Sequence, residues 1–299
     1  MSTADPAPRD GGWPAAEPVD HADPRLAPYR GVRDADLRGR DGLCCIETAR
    51  VVRRFLAGYA RARDDGRASR FGCEPASVLC DRRTLPSLAA ELDRLPGVPV
   101  FVARDAAEVT AISGYELHSG ALAIARRLPE PGVDALASAR GVIAACDGIV
   151  HTDNLGAIFR NAASFGAAGV LLSPNSSDPL LRKTVRVAMG RTFAVPWARA
   201  ARWPDDLRTL RERHGFRIVA AEDTPDAVDV GSVAPAERAV VVFGAEGAGV
   251  SPEVLGLADC VARIPMSTLG GALADDPPSL NVAVASAVML HRLCEIRSW

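Results

Sequence analysis

The sequence predicts an α/β fold in two units, and three observations predict it. Short apolar runs alternate with helically spaced ones along most of the chain. A Pro129-Glu-Pro-Gly132 break interrupts that alternation near the middle. Val240-Val-Val-Phe243 carries no polar residue, as expected for the centre of a parallel sheet. The length agrees, since 299 residues correspond to about two domains of roughly 150 residues.

Residues 1–28 are rich in Pro, Asp, Ala and Gly without period and predict a disordered tail, because such a segment buries too little apolar area to offset its ordering entropy. The first unit is expected over 29–128. Leu43–Ile46 is a short apolar run, and a helical pattern follows over 48–57. Ser77–Cys80 and Val98–Val102 read as buried strands, with helical spacing over 85–95 between them. Ala121–Ala125 is a further strand, and 129–139 is expected as a linker. The second unit is expected over 140–299. Val142–Ala145, Gly169–Leu172, Arg217–Ala221, Val240–Phe243 and Cys260–Ile264 read as strands. Leu155–Phe165, Leu180–Met189, Trp203–Arg213 and Leu280–Leu293 read as helices.

Composition excludes several classes of function. No run of eighteen apolar residues exists, so no membrane span is predicted. The N-terminus has no apolar signal core. Seven cysteines without a C-x-x-C pair argue against a disulfide framework or a zinc site, and the scattered histidines suggest no metal. A reducing, cytoplasmic setting is therefore expected. The net charge of −2 excludes a uniformly basic nucleic-acid binder. Charge is nevertheless uneven. Residues 30–70 hold eleven arginines against six acids, and residues 179–204 hold six basic residues and no acid. One basic stretch in each unit points to a polyanion track.

Three segments of the second unit carry chemistry-bearing residues. Asp153-Asn154-Leu-Gly156 leads to Arg160 and then Gly166, with Asp153 or Asn154 suited to cap a helix that Gly166 would end. Phe243-Gly244-Ala-Glu246-Gly247-Ala-Gly249 is a glycine-rich turn after a strand; it lacks the spacing of a dinucleotide fingerprint or a P-loop. Ile264-Pro265-Met266 precedes a loop that ends in Ser279-Leu280-Asn281-Val282, with Ser279 suited to cap the last helix and Asn281 in its first turn. A Rossmann oxidoreductase is disfavoured, because the early glycine fingerprint and its acidic ribose partner are missing.

Taken together and in this order, the three segments resemble the motifs of the SpoU (TrmH-like) family of SPOUT-class RNA methyltransferases. The resemblance covers about residues 140–296, with Arg186-Val-Ala-Met-Gly190 as a further family-like segment. Residues 40–127 more weakly resemble an L30e-like substrate-binding domain, with His118-Ser-Gly120 at its His-x-Gly. The implied fold is a parallel α/β sheet closed by a trefoil knot, and the implied assembly is a homodimer packed through the C-terminal domain. The implied cofactor is S-adenosylmethionine, lying against Gly244, Gly249, Ile264, Met266 and Leu280. The implied reaction is ribose 2′-O-methylation of RNA. Ribosomal RNA is the expected substrate, with tRNA, or binding of RNA without catalysis, as alternatives.

On that resemblance Arg160, Asn154, Glu246, Ser279 and Asn281 form the catalytic group. A guanidinium stays protonated, so Arg160 is expected to bind phosphate and stabilise a developing alkoxide rather than take a proton. Glu246 is expected to hold Arg160 or Asn154 through a charge-assisted bond. His151 is a further candidate proton acceptor. Arg50, Arg53, Arg54 and Arg186, with Arg82 and Arg83, are expected to contact RNA. The segment from Ser267 to Pro278 is longer than the family's loop and falls on the implied cofactor site.

Overall fold

The computed structural model describes residues 16–19, 21–31, 42–68, 71–114, 120–234, 237–267 and 279–294. The chain divides into two compact units, one of residues 1–60 and 75–126 and one of residues 61–74 and 127–299.

The first unit is built on a five-stranded sheet. Its elements are β1 (Ala16–Pro18), β2 (Leu43–Glu47), α1 (Ala49–Asp64), β3 (Cys73–Asp81), α2 (Ala89–Asp93), β4 (Val100–Ala103), α3 (Ala106–Ser113) and β5 (Ala121–Arg127), and the strand order is β1-β4-β3-β5-β2. β1 and β3 flank β4 in parallel, and β2 pairs antiparallel with β5. The disorder expected of 1–28 does not hold for its described part. β1 adds an edge strand, and a 3-10 turn at Pro24–Tyr29 carries Leu26, fully buried, and Tyr29 into the core beside Phe101, Val109 and Ile112. Two large apolar side chains suffice to anchor a segment whose average composition is polar.

Two further differences have local causes. Over 85–95 the expected helix is split into a 3-10 turn, Leu85–Ser87, and the short α2, with Pro86 in the first turn. α3, not expected, starts at a reciprocal cap: Asp105 Oδ1 accepts from the Glu108 N–H at 2.9 Å, while Glu108 Oε2 accepts from the Arg104 N–H at 2.6 Å. Gly114, left-handed at φ 75°, ends it.

The second unit holds a seven-stranded sheet whose paired strands all run parallel. Its elements are β6 (Gly141–Asp147), α4 (Thr152–Phe165), β7 (Gly169–Leu172), α5 (Arg182–Val187), β8 (Trp197–Arg199), α6 (Asp205–His214), β9 (Arg217–Ala221), β10 (Val228–Asp229), β11 (Arg238–Gly244), α7 (Pro252–Leu255), β12 (Cys260–Arg263) and α8 (Val282–Leu293). The order is β10-β12-β9-β11-β6-β7-β8. Within the stretch expected as a linker, a 3-10 turn at Val133–Ala135 precedes Leu136, which is buried in this unit's core with Ile143, Leu171 and Val240.

One feature of the strand order positions the candidate site. The chain leaves β6 toward β7 and β8, crosses back to β9, and only then lays β11 between β9 and β6. β11 is buried along nearly its whole length, as its apolar sequence requires. The register sets Gly244 opposite Asp147, so the loops after β6 and β11 leave the sheet side by side. In open α/β sheets this reversal point, at the carboxyl ends of the strands, is where ligands bind.

All seven cysteines are free, and Cys146 is buried in β6, which pushes its thiol up to about 12. Among the described residues no helix is long and apolar enough to cross a membrane, and no cluster of three metal-ligating side chains occurs. The trefoil knot implied by the resemblance involves the chain between β12 and α8, of which residues 268–278 lie outside the described residues.

Phe159, fully buried on α4, tests the core. Phe159→Ala is expected to cost about 3–5 kcal/mol through lost burial and a residual cavity. Urea unfolding should show a lower midpoint at an unchanged slope.

Candidate active site

Glycines shape the loop after β11. Ala245 and Gly249 exchange both backbone hydrogen bonds, at 3.1 and 2.9 Å, closing a narrow loop over 245–249. Gly247 and Gly249 take left-handed φ values of 82° and 68°. A Cβ on Gly244 would overlap the Gly249 carbonyl carbon and the Val250 nitrogen, so the loop closes only over a glycine. Two acids at the ends of neighbouring strands fix its return: Glu222 Oε2 accepts from the Val250 N–H at 2.8 Å, and Asp147 Oδ2 from the Ser251 N–H at 2.9 Å. Neither acid carried a sequence signal beyond standing next to the end of a strand.

The closed loop holds Glu246 out toward α4 and α8. Asn154, only 8% exposed in the first turn of α4, donates from Nδ2 to Glu246 Oε1. Asn281 Nδ2 lies 2.9 Å from the same oxygen and 3.1 Å from Asn154 Oδ1. Asn281 Oδ1 accepts from the Ala283 N–H at 2.9 Å, which caps α8 and fixes the direction of the amide. The cap expected at Ser279 is therefore at Asn281. Ser279 is exposed two residues before it. The first helix is corrected similarly: α4 begins after His151, which has no side-chain cap bond, and Asp153 and Asn154 lie inside its first turn. Asn154 is thereby free for Glu246, and Asp153 pairs with Lys183 at 2.6 Å.

Two packing features hold α4, one against α5 and one against α8. Gly156 lies where a Cβ would meet Thr184 O and Val187 Cβ at 2.8 Å, so α4 and α5 approach closely. Asn161, seven residues after Asn154 and on the same helix face, donates to Ala283 O at 2.7 Å and to Ser286 Oγ at 2.9 Å. The sequence reading missed Asn161. Its spacing from Asn154 was the available signal.

The remaining expected residues lie around this cluster. Arg160 is exposed and forms no hydrogen bond or ion pair through its guanidinium with any described residue. It shares a helix face with Asp153, not with Asn154. Of the two partners expected for Glu246, Arg160 or Asn154, it holds Asn154, and Asn281 with it. Ile264 and Met266 are half-buried beyond β12, and Leu280, beside Asn281, is 40% exposed. Arg50 and Arg53 are exposed on α1, Arg54 is half-buried there, Arg82 and Arg83 are exposed after β3, and Arg186 is exposed on α5. His118 and residues 268–278 lie outside the described residues.

Comparison with known proteins places this geometry. The model of the SpoU rRNA Methylase family matches residues 141–291. An uncharacterized tRNA/rRNA methyltransferase of Mycobacterium tuberculosis is 36% identical over 288 residues, covering 94% of this chain and 92% of the relative. A Streptomyces laurentii 23S rRNA (adenosine(1067)-2′-O)-methyltransferase is 32% identical over 159 residues, covering 52% of this chain and 55% of the relative. Among solved structures, the AdoMet-bound rRNA methyltransferase of Sinorhizobium meliloti has a TM-score of 0.72 at 24% identity, covering 93% of this chain and 97% of that one. The SpoU methyltransferase AviRb of Streptomyces viridochromogenes, in complex with AdoMet, has a TM-score of 0.69 at 22% identity, covering 90% of this chain and 97% of that one.

Gly244→Ala tests the loop. The added methyl must open the 245–249 closure, with an expected loss of about 1–3 kcal/mol of local stability. Hydrogen exchange at the Ala245 and Gly249 amides should quicken, while the amides of β7 stay protected.

Proposed function

Because the chain belongs to the SpoU rRNA methylase family, we propose that it is an S-adenosylmethionine-dependent RNA methyltransferase acting on a ribose 2′-oxygen, with ribosomal RNA as its substrate. The observation that carries this reading is the meeting of Asn154, Glu246 and Asn281 beside a glycine-closed loop at the reversal point of the sheet. The Streptomyces laurentii relative, whose matched segment is about the length of the second unit, supports the 2′-oxygen and the ribosomal substrate.

The residues present fit the cofactor. Leu280 leaves a large apolar side chain in solvent at the loop, and Ile264 and Met266 stand half-buried at the carboxyl end of the same sheet. A flat, uncharged adenine is held by such apolar walls and by backbone groups rather than by charge. The Cβ space of Gly244 and Gly249 is taken by the loop's own backbone and by Glu222, so their part toward the adenine would be played by backbone groups alone. When bound, S-adenosylmethionine supplies a methyl group on a sulfonium, whose leaving thioether is neutral.

The chain's own part is positioning and charge. A ribose hydroxyl is a weak nucleophile at neutral pH, so it must be oriented and relieved of its proton. The Asn154–Glu246–Asn281 cluster offers rigid polar groups for orientation. The guanidinium of Arg160, without a partner among the described residues, suits an RNA phosphate and the oxyanion developing beside it. Arg50, Arg53, Arg54 and Arg186 are proposed to track the RNA backbone. Incubating total RNA with methyl-labelled cofactor tests the reading. Label is expected in ribosomal RNA, in an alkali-resistant dinucleotide; label on a base, or in tRNA alone, would refute the substrate.

We also propose that the protein is a homodimer packed through its C-terminal unit. Val284 and Val288 lie four residues apart on one face of α8 and are 49% and 39% exposed. Apolar side chains left in solvent at helical spacing are the pattern of a face awaiting a partner. Val284→Glu is expected to halve the mass measured by light scattering. An unchanged mass would place the contact elsewhere.

A further inference from the structure

α4 starts without a side-chain cap. His151, at the N-cap position, makes no such bond, so the chain before it sets where the helix begins and where Asn154 stands in its first turn. One loop holds that chain. Gly148, left-handed at φ 72°, turns it out of β6. Ser173 Oγ accepts from the Gly148 N–H at 2.9 Å, and Ser176 Oγ accepts from the Ile149 N–H at 3.2 Å. The Ser177 N–H donates to Ile149 O at 2.8 Å. Cys146 O accepts from the Ser173 N–H at 3.0 Å and from Ser176 Oγ at 2.9 Å. The 173–177 loop thus carries the connection between β6 and α4 on its own polar groups.

Arg199, the last residue of β8, holds the loop in turn. Its Nη1 donates to Ser173 O at 3.0 Å and to Ser176 O at 2.9 Å, and its Nη2 donates to Ser177 O at 3.2 Å. Its Nε donates to Glu130 Oε2 at 2.6 Å, and the side chain is only 17% exposed. A planar fork reaches three carbonyls and a carboxylate at once, which the single ammonium of a lysine does not. Glu130 stands in the stretch by which the chain enters the second unit. Arg127, in the same stretch, pairs with Asp178 Oδ2 at 2.8 Å, just past the loop.

We propose that Arg199 is a positioning residue for the methyl transfer, setting Asn154 through the 173–177 loop and the start of α4, with Glu130 fixing its guanidinium. This inference rests on the function proposed above. A guanidinium this buried is satisfied only while the loop keeps its shape, and the loop's carbonyls lose charge-assisted donors without it. The loop then relaxes, and the start of α4 moves with it. A displacement of about 1 Å at an orienting group costs about 10²-fold in rate. The residues proposed to hold the cofactor lie on other segments, after β11, after β12 and at the start of α8. Loss of Arg199 therefore acts on the chemical step and spares cofactor binding.

The full-length protein, ribosomal RNA and S-adenosylmethionine make the test, at a temperature where circular dichroism shows each variant folded. Arg199→Lys keeps the charge and loses the fork. Its kcat is expected to fall about 10–10²-fold, while the cofactor Kd by calorimetry stays within about threefold of wild type. The side-chain amide signals of Asn154, assigned with Asn154→Asp, are expected to move. Arg238→Lys alters a guanidinium–carbonyl bond at the amino end of β11 and is expected to change neither kcat nor those signals. An unchanged kcat or unmoved Asn154 signals in Arg199→Lys, cofactor affinity falling in step with kcat, or the same losses in Arg238→Lys would overturn the proposal. If Arg199→Lys does not fold, Glu130→Gln decides: kcat is expected to fall severalfold at unchanged cofactor Kd, and an unchanged kcat overturns the proposal. The amide signals need no turnover. If the wild-type protein methylates no RNA, the proposed function falls on that result, while the Asn154 signals still decide whether Arg199 positions it.

Discussion

The late insertion of β11 between β9 and β6 is the constraint on which the site depends. Residues that meet here are far apart in the chain: Glu246 lies 92 residues beyond Asn154, and Asn281 lies 127 residues beyond it. The parallel register that sets Gly244 beside Asp147 turns those separations into hydrogen-bond distances. An apolar strand such as Val240–Phe243 gains most by burial on both faces, so its place at the centre of the sheet follows from its composition. The burial that stabilises the fold therefore also delivers the glycine loop to the first turn of α4.

Once there, the loop is held by groups that are costly to leave unpaired. Asp147 is buried at the end of β6, and its carboxylate accepts from the backbone where the loop turns toward α7. Asn154 is nearly buried and has few partners available besides Glu246 and Asn281. Removing either partner would leave amide groups with reduced access to water. That asymmetry, more than the strength of any one bond, keeps an otherwise solvent-facing carboxylate in one place. Asn161 extends the same logic one helical repeat along α4, tying the first turn of α8 to it.

Most strands and the longer helices were legible because each carries its own period: β6, β7, β9 and β11 as apolar runs, α4 and α8 as helical repeats. Elements set by a few local bonds were less legible. α3 depends on the reciprocal cap of Asp105 and Glu108, which a reading of apolar spacing passes over. β1 depends on pairing with β4 and on Leu26 and Tyr29 behind it, a tertiary gain that average composition conceals. In the site, Asn154, Glu246 and Asn281 could be named from their motifs, and a bond from Glu246 to Asn154 stood among the expectations, but the bonds of Asn281 did not. Capping rules alone would have used Asn154 as a cap. The fold instead starts α4 three residues earlier and spends that amide on Glu246.

Charge was the property most overstated by counting. Of the six basic residues in 179–204, Arg199 is spent inside the fold: it donates to the carbonyls of Ser173, Ser176 and Ser177 and pairs with Glu130. Lys183 is paired with Asp153. In the first basic stretch Arg30 donates to the carbonyls of His21 and Asp23, and Arg67 pairs with Asp65. A run of positive charge therefore converts to a phosphate-binding track only after its internal commitments are subtracted. Arg160, outside both stretches, stands exposed with its guanidinium uncommitted within the described chain. It also stands on a different face of α4 from Asn154. A permanently protonated group, set apart from the amide–carboxylate cluster, suits binding an anion.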